Sequence, residues 1–551
     1  MPSAALAVLA LLPLLLVAYS VSRRRRRRQR NPLPPGPPKW FLVGNLFNMP
    51  TARQYEVFTH WTRVYNSDIL HLSVAGKSII VLSSAAAAHE LLEKRSGMYS
   101  DRPRMPMVRE LMGWEEHSLG LMGYGPRWLL HRKVLQTAFN KGAIPTYNPS
   151  LSSLTERLLR DLLRDPAAFM DHFKKMSGAL VMLLVYGLDV NSAADPYIHA
   201  NEAALEGIIT AGVAGRYLVD AIPVLKYIPE WFPGAGFKRQ ARIWREATKH
   251  AVEAPFAETC RRMESSNPSS SRSLVVNLTS IQAEGTCNPC FVSSALEDPS
   301  PTDLAQIEIV KNSAGSVYTA SVDTLRSALS TFVLAMLAYP EVQHRTYAEI
   351  SRFLQTQEEG EELIFRLPRP EDELGLPYIG AVVKEVLRWR NITPLGSPRP
   401  RCDSPAEGLT RPAIPHCVSE EDVYRGYRIP KGAVVLGNVW AILHDETVYS
   451  NPDAFNPDRF LGDTPEPDPD AAFGFGRRAC PGQHLAKSII FLSIARILAV
   501  FEIHKAIDAE DGVVVVEPSG AYSDGLSVSP LPFKCAFQLR SEEVLEGFFP
   551  K

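Results

Sequence analysis

One segment near the carboxyl end restricts this chain more than any other: Phe473-Gly-Phe-Gly476-Arg-Arg478-Ala-Cys480-Pro-Gly482. A cysteine by itself is most often a small buried hydrophobe. Cys480 keeps different company. Glycines stand on both sides of it, and without a Cβ the backbone can pass close to a flat ligand and aim its amides at the sulfur. Such donors stabilise a thiolate, and the apolar run from Ile489 to Val500 supplies a helix to pack behind it. Arg478 carries the planar fork that pairs with a carboxylate. The chain has seven cysteines, an odd number scattered along its length, which argues against a disulfide framework. A reducing compartment, where a free thiolate persists as a ligand, suits them better.

Upstream of that loop the periodicity is mostly helical. Glu110 to about Met263, and again Asp303 to Leu354, carry apolar residues at three and four spacing. Ile69 to Leu82 is rich in Ile, Val and Leu around the turn residues Ala75-Gly76-Lys77, and Tyr424 to Val435 returns to short strands. The expected body is therefore mainly α with a small β-sheet, and no composition boundary divides it after Trp40. Within it, Glu385 and Arg388 lie three apart on one helix face and can pair. Asp323 and Thr324 set an acid beside an alcohol in a helix whose other face is Ala, Leu, Val and Phe; an acid buried there would be perturbed, which marks a functional candidate.

The cysteine loop resembles the heme-binding loop of the cytochrome P450 family at all five of that loop's defining positions: Phe473, Gly476, Arg478, Cys480 and Gly482. Four more segments follow the family's order. Glu385-Val-Leu-Arg388 resembles its Glu-x-x-Arg helix, and Asn456-Pro457-Asp-Arg459-Phe460 its second arginine segment, which implies a buried Glu385–Arg388–Arg459 network. Trp128-Leu-Leu-His-Arg132 resembles its Trp-x-x-x-Arg helix, with indole and guanidinium on one face and both able to reach one heme propionate. Thr319-Ala320-Ser321-Val322-Asp323-Thr324-Leu325 resembles its oxygen-handling helix; it keeps Asp323 and Thr324 but has Ser321 in place of the usual glycine and Leu325 in place of a second hydroxyl.

The resemblance implies the cytochrome P450 fold, heme b with Cys480 as its iron ligand, and catalytic Asp323 and Thr324. It further implies oxygen insertion from O2 into an apolar small molecule, with electrons from NADPH through a separate reductase. No flavin or nicotinamide fingerprint occurs in this chain itself. The likeness is greatest to the microsomal, fungal-type branch of secondary metabolism. Substrate contacts are expected from the Arg102–Leu121 loop, the residues before Ala320, Ile392–Leu395 and the turn at Gly525-Leu526.

The amino terminus predicts a membrane anchor. No charged residue occurs from Ala4 to Val21, and eighteen residues at about 1.5 Å each span roughly 27 Å, close to a bilayer's hydrocarbon thickness. Six arginines follow, Arg23 to Arg28, which places that end on the cytoplasmic side. A cleaved secretory signal would carry its charge in front. The expected organisation is an anchor over residues 1–22, a basic and proline-rich linker over 23–39, and a catalytic domain over 40–551. That body would be cytosolic, held at the endoplasmic reticulum by one transmembrane helix. A formal net charge of -1 gives no basis for binding nucleic acid.

Two stretches stand apart. Ser265–Ser273 is of low complexity and reads as a surface loop. Ser397–Ala413, with four prolines and no apolar period, separates Leu395-Gly396 from Pro415-His416 and reads as a retained intron or a surface insertion. A transcript encoding residues 397–413 in active cells rejects the intron. Cys287-Asn-Pro-Cys290 has metal-like spacing but no second pair nearby. Two alternatives stay open from residues alone: a heme protein without monooxygenase activity, including one inactivated by the 397–413 segment, and a peroxide-driven or isomerase-type enzyme. Retention of Asp323 and Thr324 argues against a heme protein without the activity and against the peroxide-driven or isomerase-type enzyme, whereas a genuine 397–413 segment would favour the inactivated form.

Overall fold

A computed structural model describes residues 31–541 apart from 42, 51–52, 75, 191, 193–194, 213–215, 267–287, 298–303, 357–365, 396–413, 509–511, 514–521 and 524–526. The anchor and arginine run, most of Ser265–Ser273, Cys287, Ser397–Ala413 and Gly525-Leu526 therefore lie outside the described residues.

Helices carry the body. Those that position the site are α1 (Pro126–Phe139), α2 (Asn148–Arg164), α3 (Phe169–Tyr186), α4 (Leu304–Ala338), α5 (Pro340–Thr356), α6 (Pro377–Trp389) and α7 (Gln483–Val500). The long α4 is the axle. It packs most extensively on α3 and also touches α1, α6 and α7. The helical period read through Asp303–Leu354 breaks in the structure between Ala338 and Pro340, because proline has no N–H to continue the ladder and restarts a helix at its first turn.

From Ile489 to Val500 every residue of α7 is buried. A helix apolar all round must lie inside, and each buried Leu, Ile or Phe adds about 1.5–3 kcal/mol of hydrophobic stabilisation. By length and composition α4 and α7 could cross a membrane, but both are mostly covered by the rest of the body.

The sheet is minor, as the sequence suggests. Strands β1 (Ile69–Val74) and β2 (Lys77–Leu82) form a hairpin, and the four-stranded sheet runs β1-β2-β6-β3 with β3 His416–Cys417 and β6 Val434–Gly437. The β2–β6 pairing is parallel, Ile79 opposite Val434, while β1–β2 and β3–β6 are antiparallel. Separate pairs join β4 (Asp422–Tyr424) to β5 (Tyr427–Ile429), β8 (Ile507–Asp508) to β9 (Gly512–Val513), and β7 (Phe501–Lys505) to β10 (Cys535–Leu539). The β7–β10 pair has no counterpart in the sequence reading.

The proline segment is tied to this sheet. Pro35 accepts from the His71 amide (2.8 Å), Pro32 from the Arg428 amide (2.7 Å), and Asn45 Nδ2 donates to the carbonyls of Pro37 and Pro38. An extended strand of prolines cannot donate, so the body supplies the donors.

Candidate functional site

The cysteine loop is two short 3₁₀ turns, Asp470–Phe473 and Gly476–Arg478, followed by α7. The Cys480 amide donates to the Phe473 carbonyl at 2.8 Å, closing the loop. Gly476 has φ +53°, and a Cβ built there would lie 2.2 Å from the Leu92 carbonyl oxygen, so only glycine fits. Cys480 is half-buried, with protein close around its sulfur. Burial pushes its thiol up; a hydrogen bond from the Gly482 amide and the Arg132 charge pull the other way.

Helix α1 stands beside the loop. Trp128 is buried, and its indole Nε1 has no partner; nor has the buried Nε of Arg132, one turn on. Arg132 Nη1 donates to the Ala479 carbonyl, next to the sulfur (2.5 Å). Arg478 lies 4.5 Å over the Trp128 ring. Its three nitrogens donate to backbone carbonyls: Nε to Ser100 (2.8 Å), Nη1 to Leu119 (3.0 Å) and Nη2 to Met122 (2.8 Å). The fork expected to meet a carboxylate therefore meets carbonyls here.

Two residues that sequence reasoning did not assign to the cofactor complete a cationic cluster. Arg102 is buried, donating through Nε to Gly120 (2.7 Å) and through Nη1 to the carbonyls of Ile414 and Pro415 (2.8 Å each). His416 is buried with Nδ1 2.8 Å from the Tyr99 carbonyl. Burial, then the charges of Arg478 and Arg109, hold Arg102 well below its ordinary value. Burial also lowers Arg132, and takes Arg478 to about 9. His416 falls to about 3, through burial and then Arg102. Arg102, Arg132 and Arg478 form no ion pair among the described residues, whereas Arg109 pairs with Glu115. The dipeptides Arg102-Pro103 and Pro415-His416 are the signal the sequence offers, each a polar nitrogen-bearing side chain beside a residue that fixes the chain.

On α4 the oxygen-handling segment is hydroxyl-rich. Thr319 Oγ1 donates to Gly315 O (3.0 Å), Ser321 Oγ to Val317 O (2.7 Å) and Thr324 Oγ1 to Ala320 O (3.0 Å), the backward bonding open to Ser and Thr in helices. Asp323 is not buried as the apolar helix suggests. Its side chain is 42% exposed, with Arg326 one turn on at 4.0 Å. The acid and alcohol are neighbours in sequence, and each has its own partner.

The Glu-x-x-Arg residues lie far deeper. Glu385 and Arg388 are both 0% exposed, joined by Nε–Oε2 at 2.7 Å and Nη2–Oε1 at 2.8 Å. Arg459 Nε reaches Glu385 Oε1 at 3.2 Å, and the Asn456 amide donates to the same oxygen at 2.9 Å. A fourth member comes from outside the sequence pattern: Glu466 Oε2 accepts from Arg459 Nη1 at 2.6 Å. Two acids thus face two guanidiniums. Arg388 spends its remaining donors on the carbonyls of Leu443, Pro452 and Ala454.

The family model for cytochrome P450 matches residues 34–403 and 409–521. The chain belongs to the cytochrome P450 family. The match breaks only at 404–408, inside the proline-rich 397–413 segment. Cytochrome P450 monooxygenase 98 of Postia placenta is 40% identical over 521 residues, covering 93% of this chain and 91% of that protein. Tryptamine 4-monooxygenase of Psilocybe cyanescens is 36% identical over 526 residues, 94% of each chain. Cytochrome P450 monooxygenase ple1 of Rhodocybe pseudopiperita is 36% identical over 522 residues, 93% of this chain and 91% of that one. This is a fungal-type cytochrome P450 monooxygenase, an oxidoreductase.

Membership of the cytochrome P450 family implies heme, and the residues fit one. A heme brings a thiolate-seeking iron and two carboxylates. Cys480 offers the sulfur, and beside it one buried and two half-buried guanidiniums without carboxylates, Arg102, Arg132 and Arg478, and two unpartnered N–H donors offer the anion site. At Gly482 a Cβ would meet nothing within 4 Å, so the loop leaves room on the side where a flat group has to pass. Elsewhere, Cys290 is buried with its sulfur accepting from the Ser293 amide, and no group of potential metal ligands occurs among the described residues.

Proposed function

We propose that this cytochrome P450 inserts one oxygen atom of O2 into an apolar small molecule of fungal secondary metabolism, using electrons delivered from NADPH by a separate reductase. The observation that carries the reading is the Cys480 loop beside the cationic cluster of buried Arg102 and half-buried Arg132 and Arg478. Heme bound there would supply an iron that activates oxygen, held through the Cys480 thiolate. Trp128 Nε1 and Arg132 Nε would hold its carboxylates, with Arg102, Arg478 and His416 around them. Thr324 Oγ1 delivers protons after turning away from the Ala320 carbonyl, a weak backward bond that is readily exchanged. Asp323, half-exposed, refills it from solvent. The Glu385 network holds the loop region and takes no part in the chemistry. Among relatives, the name of the Psilocybe cyanescens protein specifies tryptamine, a small amine carrying an apolar ring system, which supports a small-molecule substrate here.

The proposal places the body on the cytosolic face of the endoplasmic reticulum, held by residues 1–22. Apolar side chains support that placement: Trp40, Phe41 and Phe47 on one segment, and Val224, Tyr227 and Trp231 on another, are all more than 60% exposed. The segments meet across the β1–β2 turn, where Gly44 bridges Val74 and Lys77 Nζ donates to the Asp220 carbonyl at 2.9 Å. A surface this rich in aromatic residues suits the boundary of a bilayer.

The first test is the carbon monoxide difference spectrum of the reduced protein. Wild type should give the strongly red-shifted Soret band of a thiolate-ligated heme, and Cys480→Ala should lose it. A wild type that binds heme without that band overturns the proposal. Turnover with a reductase across apolar substrates then tests monooxygenation.

A further inference from the structure

The loop His117–Met122 is gripped from two sides. From below, Arg478 holds the carbonyls of Leu119 and Met122, and Arg102 that of Gly120. From α4, Ser316 Oγ accepts the Leu119 amide at 2.8 Å and lies 3.0 Å from the His117 carbonyl and 2.9 Å from that of Asn312. One turn earlier, Asn312 Oδ1 sits 2.8 Å from His117 Nδ1. The direction of that bond is fixed by Glu308, which can only accept: Asn312 Nδ2 faces it at 3.3 Å, so Oδ1 is left to receive the His117 N–H. Asn312 and Ser316 are 2% and 9% exposed, two polar side chains buried on a largely apolar helix. Both are otherwise costly to bury, and each gives at least one hydrogen bond to this loop.

Ser316 stands one turn before Ala320, where the oxygen-handling segment begins. We infer that Ser316 and Asn312 are positioning residues: they clamp the 117–122 loop to α4 and so fix the wall of the substrate pocket relative to the site of oxygen insertion. Neither touches the cofactor in this scheme. Their effect is on how a substrate is oriented, and hence on which of its positions is oxidised. The inference rests on the monooxygenase reading above for its functional half, while the clamp itself does not depend on it.

The test uses the full-length holoprotein with two variants that break different bonds, Ser316→Ala and Asn312→Leu. Amide hydrogen exchange comes first. Exchange at Leu119 should rise at least about tenfold in Ser316→Ala, with the rest of α4 unchanged. Asn312→Leu should loosen 117–118 in the same way. Next, binding of imidazole and of 4-phenylimidazole is followed by heme absorbance. Imidazole reads the iron alone and should bind each variant as it binds wild type. The phenyl ring of 4-phenylimidazole reaches into the pocket, and its affinity should fall at least about fivefold. Unchanged exchange over 117–122 in both variants overturns the clamp. Faster exchange with 4-phenylimidazole affinity unchanged, or changed in step with imidazole, overturns its role in the pocket. A wild type lacking the thiolate Soret band would sink the monooxygenase reading instead, and the exchange result would still decide the clamp.

Discussion

Removing the carboxylate of Glu385 is the most informative single perturbation. Its two oxygens take Arg388 Nε, Arg388 Nη2, Arg459 Nε and the Asn456 amide, all within 3.2 Å. In Glu385→Ala, Arg388 keeps its carbonyl partners but loses its only counter-charge among the described residues while still 0% exposed. Arg459 keeps Glu466. The loss is therefore mainly one buried, unbalanced guanidinium, and breaking such a pair costs about 3–5 kcal/mol. Set against a typical total of about 5–15 kcal/mol, that is a large part of the stability. Equilibrium urea unfolding, followed by tryptophan fluorescence and by the Soret band, should show the unfolding free energy falling by that amount, with the midpoint lowered in proportion. Any Glu385→Ala protein that remains folded should turn over at a near-wild-type rate per bound heme. A second variant isolates the cause. Replacing Glu385, Arg388 and Arg459 together by Leu, Met and Met, with Glu466→Gln, removes every charge of the network and should recover at least half of the loss, because an apolar substitute of similar volume avoids the desolvation cost. A loss under about 1 kcal/mol in Glu385→Ala, or a quadruple variant no more stable than the single one, would refute the argument.

Gly476→Ala should cost about 2 kcal/mol or more and release heme, since alanine at φ +53° is strained and its Cβ strikes the Leu92 carbonyl; a variant with wild-type heme affinity would contradict this. Acid should weaken the fold well before the carboxylates titrate. His416 and His444 are both lowered to about 3, by burial and then by Arg102 and Arg388 respectively, and His71 to about 4 by burial and then Lys39. Each stays neutral in the folded protein, so its stability contribution is complete above the unfolded value of about 6.5. That contribution is lost as pH falls from there toward 3–4, by up to about 1.4 kcal/mol per pH unit per group. Urea midpoints between pH 7 and pH 5 should therefore decline in wild type and decline less in His444→Gln.

What could be read from the sequence was whatever is local in the chain. The Glu385–Arg388 pair needs only helical spacing, and the Gly476–Cys480 loop only its own turn geometry, so both could be placed without coordinates. Strands Ile69–Val74 and Lys77–Leu82 likewise carry their hairpin signal internally. Glu466, Arg102 and His416 could not be placed that way. Arg102 and His416 enter their cluster through contacts between segments distant in the chain, and Glu466, seven residues from Arg459, sits in an irregular stretch with no period to predict its pairing. Asp323 illustrates the opposite error. An apolar helix suggested burial, but the structure leaves the carboxylate 42% exposed beside Arg326. The β7–β10 pair was missed because β10 is far from β7 along the chain, and five residues give little periodicity.

The parallel pairing of β2 with β6 also sets a timetable. Ile79 and Ile80 leave the ribosome early, and Val434 and Val435, against which they pair, emerge only near the end of synthesis. At cellular elongation rates of about 5–20 residues per second the interval is on the order of tens of seconds. Throughout it Lys-Ser-Ile-Ile-Val-Leu, the sequence of β2, is an unpaired edge of high strand propensity, the kind of segment that recruits other chains. Yield in a foreign host should then depend less on the finished enzyme's stability than on what shields that edge during translation.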